Sequence, residues 1–288
     1  MDIKPNNDKE MPPRKVIPEV RDRAQSKVLV WIVGVLLLLG ALAPPLAAAW
    51  LSLPLWPIGR PLLLSAGFAA LVLVLRAATP TAAGLGFLVC FILAQSPAAW
   101  SRYTGDRQGH WLLAALMMVF VLTFAATRYG RAKKEARGLS ESRRGRRASQ
   151  IVANLGVAGL FAAAGRYEGC VAALAEAAAD TVSSEIGQAT GYPARLVTTG
   201  RMVPAGTDGG VTLTGTLAGL IAAALVVMVG SGHHPVWPVQ ARTWMAAGAG
   251  LYFDSLLGAT VERRGWMGND LVNFTSTLFA AWIASLLM

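Results

Sequence analysis

The chain has 288 residues, 54% of them hydrophobic and 15% charged, with 26 Lys+Arg against 16 Asp+Glu. A soluble domain carries about 25% charged residues, so this composition excludes that class and reads as an integral membrane protein. Cys90 and Cys170 both lie in apolar runs without CxxC spacing, which excludes a disulfide framework or a zinc cluster and leaves them as packing residues.

Residues 1–27 are polar and hold Pro5, Pro12, Pro13 and Pro18 among mixed charges, a composition that buries no core and predicts a disordered tail. Apolar stretches follow at 28–50, 61–77, 80–100, 111–128, 150–166, 168–188, 211–230, 241–260 and 270–288, most of them near the ~20 residues of a spanning helix. The expected fold is all-α, a polytopic helical membrane protein with about nine transmembrane segments. The first stretch ends in Ala47-Ala48-Ala49, as a signal peptide does, but the long polar segment before it favours a retained anchor. The chain then divides into a tail (1–27), a four-span region (28–128), a basic loop (129–149) and a five-span region (150–288).

With the N-terminus inside, the alternate loops 1–27, 76–80, 128–149, 189–210 and 261–269 hold 21 of the 26 Lys+Arg. This asymmetry predicts a cytoplasmic N-terminus in a bacterial-type inner (plasma) membrane. Most of the charge in the basic loop is then topogenic and faces lipid headgroups, so the expected partner is the bilayer and not nucleic acid. The same parity sets Asp180, Asp208, Asp254, Asp270 and Asn154 on the inner face, whereas His110, His233 and His234 fall on the outer side and receive no catalytic role.

Ionisable groups are costly at membrane depth, so these aspartates are expected to be functional. Glu176, Asp180 and Ser184 are four apart and share a helix face, with Ser183 nearby. The bland alternative is an inter-helix hydrogen-bond patch, in which Glu176 is structural. Asp254, Gly258 and Glu262 repeat the spacing, and Asp270, Asn273 and Thr277 form a third line. Oxygen donors from several helix ends, without a His or Cys cluster, suit Mg²⁺, and Asp180, Asp254 and Asp270 are the expected metal ligands.

The run Gly206-Thr207-Asp208-Gly209-Gly210 leads into the next helix and suggests a phosphate cradle, or alternatively a glycine-rich turn with Thr207 or Asp208 as N-cap. It is not a Walker loop, because no lysine follows Lys134. Arg195 and Arg201 are therefore the expected phosphate partners, and Asn154, Ser184 and Asn273 join the expected nucleotide site. Arg146 and Arg147, nearest the membrane in the basic loop, are the expected contacts of a lipid phosphate.

Taken in order, Asn154-Leu155-Gly156, Ala179-Asp180-Thr181 with Ser184-Glu185, Pro204 with Gly206-Thr207-Asp208-Gly209-Gly210, Asp254-Ser255 with Gly258, and Asn269-Asp270 with Asn273 resemble the transmembrane protein 19 family, which includes the phytyl-phosphate kinase of vitamin E synthesis. The resemblance covers roughly 145–288. It implies an integral membrane enzyme that phosphorylates an isoprenyl monophosphate to its diphosphate with a nucleoside triphosphate. A wider similarity in layout, to phytol and dolichol kinases and to CDP-diacylglycerol synthase, implies CTP and Mg²⁺ at a cytoplasmic site. Asp180, Asp208, Asp254 and Asp270 are then the expected catalytic carboxylates. Two alternatives stay open, a cation-coupled transporter and a CDP-lipid-forming cytidylyltransferase, as does the oligomeric state.

Overall fold

The computed structural model describes residues 17–52, 58–95, 108–139, 145–232 and 236–287. The helices are α1 (Glu19–Trp50), α2 (Gly59–Val74), α3 (Pro80–Gln95), α4 (Gln108–Arg128), the short α5 (Arg131–Ala136), α6 (Ala148–Ile151), α7 (Val157–Ala163), α8 (Tyr167–Thr190), α9 (Leu213–Gly230), α10 (Trp237–Leu257) and α11 (Asn269–Leu286). A π-helical turn, Val152–Gly156, joins α6 to α7, and a second, Gly258–Glu262, prolongs α10. Helix occupies every one of the nine apolar stretches. Three helices, Glu19–Trp50, His110–Arg128 and Leu213–Gly230, meet the length and apolarity of a membrane crossing among the described residues.

The bundle is built round α8, which packs against α4, α7, α9, α10 and α11. Its sequence explains this position. Alanine has the highest helix propensity and no bulk, so Ala172, Ala173, Ala175, Ala177, Ala178 and Ala179 form a buried rod that neighbours can approach closely. α9 answers with glycine at Gly215 and Gly219, where a Cβ on Gly219 would stand 2.6 Å from the Ala179 carbonyl oxygen. The outer helices show the reverse pattern, with Trp31, Leu39, Leu46, Leu63, Ile221 and Met228 exposed, as expected of surfaces in contact with lipid.

Two features depart from the sequence expectations. First, α1 begins at Glu19, so residues 19–27, expected as part of a tail, are helical, while residues 1–16 lie outside the described residues. Glu19 and Asp22 suit the positive end of the helix dipole, and the first turns find partners across the bundle. Gln25 Nε2 donates to the Trp266 carbonyl at 2.9 Å, and the Gly268 N–H donates to Gln25 Oε1 at 2.9 Å.

Second, a small antiparallel sheet interrupts the helices between α8 and α9. Its strands β1 (Ala194–Leu196), β2 (Met202–Val203) and β3 (Gly210–Val211) lie in the order β2-β1-β3, with Arg195 opposite both Met202 and Val211. The basic loop is also structured in part. Lys134 of α5 is 1% exposed and donates to the carbonyls of Ala126 and Thr127 at the end of α4 and to Glu185 Oε2 of α8.

Candidate functional site

Where α8 and α10 end and α6, α9 and α11 begin, a polar cavity of about 280 Å³ opens. Asp180, Ser183, Ser184 and Glu185 of α8 line it, with Asp254, Ser255, Gly258 and Glu262 of α10 and its π-turn. Gln150 and Asn154 enter from α6 and the first π-turn, Asn269 and Asn273 from α11, and Gly206 through Thr212 from the loop and β3. All five sequence motifs therefore meet at one end of the bundle, and Asp180, Asp208 and Asp254 share one cavity.

Local structure aims these groups. A π-turn inserts one extra residue per turn, and both π-turns among the described residues border the cavity, one carrying Asn154 and the other Gly258 and Glu262. Asn154 Nδ2 donates to the Gln150 carbonyl at 2.9 Å, which holds the side chain, and its Oδ1 faces Asn273 Nδ2 at 3.5 Å. Ser276 Oγ donates to Asp254 Oδ2 at 3.1 Å, which holds that carboxylate in the cavity lining. α9 is capped by Thr212, whose Oγ1 accepts from the Gly215 N–H at 3.1 Å. The N-cap is therefore Thr212, not Thr207 or Asp208.

Arg146 is the one cation lining the cavity among the described residues, against Asp180, Glu185, Asp208, Asp254 and Glu262. Its backbone is pinned on both sides, the N–H donating to the Ala77 carbonyl at 2.9 Å and the carbonyl accepting from the Thr79 N–H at 3.0 Å. Its Nη2 donates to Thr181 Oγ1 at 3.3 Å, next to Asp180. Lys134 partly neutralises Glu185 from behind. Glu176, one turn deeper, is buried and receives a 2.8 Å hydrogen bond from Thr277 Oγ1, so it packs beneath the cavity and does not line it.

Several expected site residues lie elsewhere. Asp270 is 7% exposed in the first turn of α11 and accepts from Ser26 Oγ at 2.7 Å, so it ties α1 to α11 and does not reach the cavity. Ser26 lies in residues 19–27 of α1, which were expected to be tail, and this is why the partner escaped the sequence reading. Arg195 and Arg201 are exposed on the small sheet, Arg195 Nη1 donating to the Gly200 carbonyl at 3.0 Å, and neither lines the cavity. Arg147 is exposed at the start of α6, where its N–H donates to Gln150 Oε1 at 2.8 Å. His110 opens α4 at the end away from the cavity, while His233 and His234 lie outside the described residues.

The glycine loop serves close packing as well as lining. Gly209 has φ +69°, and a Cβ there would collide with the backbone of Ala259. The Gly210 N–H donates to the Thr207 carbonyl at 2.8 Å, so that amide is committed inside the loop. Sequence reasoning missed the Lys134–Glu185 pair and the lining roles of Gln150 and Asn269. The Lys134 pairing has no local signature, because its partners sit on two other elements, α4 and α8.

The cavity's donors are carboxylate, amide and hydroxyl oxygens. Among the described residues, no three His, Cys, Asp or Glu side chains stand close enough to hold a metal ion by themselves. That set fits Mg²⁺, which binds through one or two carboxylates and completes its shell with phosphate oxygens and water. Asp180 of α8 and Asp254 of α10 are two of the five carboxylates that line the cavity, and Glu185 beside them is already paired with Lys134.

Residues 63–281 match the family described as integral membrane protein DUF92. The chain belongs to this family. It is 32% identical over 219 residues to the protein VTE6, chloroplastic, of Arabidopsis thaliana, covering 70% of this chain and 64% of that one. It is 33% identical over 183 residues to an uncharacterized membrane protein of Methanocaldococcus jannaschii, covering 61% and 75%. An uncharacterized membrane protein of Synechocystis is 32% identical over 182 residues, 59% and 70%. The chain thus spans 64% of the length of the plant relative. No solved structure matches. The match starts at residue 63, so the family extends over α2, α3 and α4 as well as the motif-bearing region from 145 on.

Proposed function

We propose that the protein is a membrane-embedded phosphotransferase that moves the terminal phosphoryl group of a nucleoside triphosphate, CTP or ATP, onto an isoprenyl monophosphate. The observation that carries the reading is the convergence of Asp180, Asp208 and Asp254 with Arg146 and Asn154 on one polar cavity at one end of an apolar bundle. The family relationship and the motif resemblance to phytyl-phosphate kinase support it. A cation carrier would keep its carboxylates near the midplane on broken helices, not clustered at the helix ends.

In the reaction, an oxygen of the lipid monophosphate attacks the terminal phosphorus while the bond to the nucleoside diphosphate breaks, giving an isoprenyl diphosphate. A phosphate monoester is nucleophilic at neutral pH, so no general base is assigned. Catalysis of this kind is mainly positioning and charge stabilisation. Arg146 holds the acceptor phosphate, and Asn154 and Asn273 orient phosphate oxygens through their amides. Asp180 and Asp254 would hold Mg²⁺, which neutralises charge on the triphosphate when bound. The active site faces the cytoplasm, the side favoured by the Lys+Arg asymmetry.

Purified protein incubated with Mg²⁺, CTP or ATP, and geranyl, farnesyl, geranylgeranyl or phytyl monophosphate tests the proposal by product mass. An isoprenyl diphosphate is expected. A CDP-lipid would replace the reading with cytidylyl transfer, and no turnover with either donor would overturn both. Asp180→Asn and Asp254→Asn should abolish turnover in protein that remains folded.

A further inference from the structure

Beside the polar cavity lies a second one of about 510 Å³, enclosed by α2, α3, α4 and the α6–α7 segment. Its walls are apolar, with Phe68, Val72, Leu116, Val119 and Phe120 among them. The room comes from α3, where Ala82 and Gly86 are four residues apart and present no bulk, and from Ala78 in the loop before it. Leu116 stands twelve residues before Arg128 on α4, so the cavity runs about 18 Å along that helix. At the end nearest the polar cavity it is bordered by Arg76, Arg128, Arg131 and Arg146.

Arg146 and Asn154 line both cavities. The two spaces therefore adjoin at a guanidinium and an amide, with acidic oxygen donors on one side and a long apolar pocket on the other. An amphiphile with an anionic head at Arg146 and a hydrocarbon tail among α2, α3 and α4 fits that junction. A freely diffusing polar substrate has no use for the apolar side.

We infer that the apolar cavity holds the isoprenyl chain of the acceptor, and that Gly86 and Ala82 on α3 set the chain length accepted. The inference rests on the isoprenyl-phosphate reading above and names the part of the protein that selects among such substrates. It gives the α2–α4 region a role in recognition, in keeping with the family match from residue 63. A Cβ on Gly86 would meet only Phe68 Cε1, at 3.5 Å, so the helix tolerates a side chain there and its outer atoms extend into the cavity.

The test compares geranyl, farnesyl and geranylgeranyl monophosphate in wild type, Gly86→Leu and Ala82→Leu. Each variant should lower kcat/KM for the geranylgeranyl substrate about tenfold or more relative to the geranyl one, mostly through KM. An equal loss at all lengths, or no loss in folded variants, overturns the inference. A second arm is independent of turnover: geranylgeranyl monophosphate carrying a diazirine at its tail, photolysed with wild-type protein, should label residues of α2–α4 such as Phe68, Leu116 or Phe120. Unlabelled geranylgeranyl monophosphate should compete and excess phosphatidylglycerol should not. Label confined to the outer faces of α1 or α9, or equal competition by phosphatidylglycerol, overturns the inference even where the enzyme turns over. Cavity labelling in a protein that forms no diphosphate upholds the inference and sinks only the phosphotransfer reading.

Discussion

Lys134→Met removes the charge that ties α4, α5 and α8 together. The ammonium is 1% exposed and donates to two carbonyls at the end of α4 and to the Glu185 carboxylate. Loss of one partner of a buried ion pair leaves the other charge uncompensated, which costs about 3–5 kcal/mol. Two α4 carbonyls also lose their donor, so the upper part of that range is expected. The assay is unfolding of purified protein in mixed micelles by graded SDS, followed by tryptophan fluorescence. The double variant Lys134→Met/Glu185→Gln leaves no buried charge uncompensated, so it should recover part of the loss, with the two α4 carbonyls still without their donor. If the single variant unfolds within about 1 kcal/mol of wild type, the buried pair is not the tie described here. A double variant as unstable as the single one would refute the reasoning equally.

Other substitutions separate lining residues from structural ones. Arg146→Ala should raise KM for the lipid phosphate strongly, whereas Arg147→Ala, which alters only an exposed helix start, should leave the kinetics within about twofold. Gly145 has φ +78°, and a Cβ there would stand 2.6 Å from the Ala77 carbonyl carbon, so Gly145→Ala should shift Arg146 and reproduce its KM defect in folded protein. Asp270→Ala should lower stability by about 1–3 kcal/mol through loss of the Ser26 bond while retaining turnover per folded molecule, measured by SDS titration and product formation. Thr212→Ala should cost about 1 kcal/mol of stability, because it removes the side-chain cap of α9.

The helical membrane architecture was legible because hydropathy and charge asymmetry act over whole segments. The convergence of Asp180, Asp208 and Asp254 was legible for a related reason, since span parity sets helix ends on one side without knowledge of packing. Asp270 shows where parity stops: it lies at the correct end of α11 but turns to Ser26 of α1, a contact decided by tertiary packing. Arg195 and Arg201 lie off the cavity for a different reason. Their loop folds into a sheet whose two- and three-residue strands are too short to show periodicity, and strand alternation turns Arg195 away from the buried Ala194 and Leu196. The π-turns left no trace either, because the extra residue of the first falls inside continuous apolar helix and that of the second at the end of α10.

The Arg146 backbone explains why the neighbouring Arg147 was not equivalent. An isolated parallel bridge pairs Ala78 with Arg146 and ties the start of α6 to the loop between α2 and α3. Extended backbone sends successive side chains to opposite sides, so once Arg146 points between the cavities, Arg147 must point outward. Gly145 makes the bridge possible, since only a residue without Cβ passes so close to Ala77 in that conformation. The same bridge brings the apolar pocket of α2–α4 against the acidic cavity of α8 and α10. Neither half of the chain forms that junction alone. A reaction that joins a hydrocarbon-bearing phosphate to a polyphosphate needs a cation at the border between an apolar and a polar space, and this backbone contact holds Arg146 there.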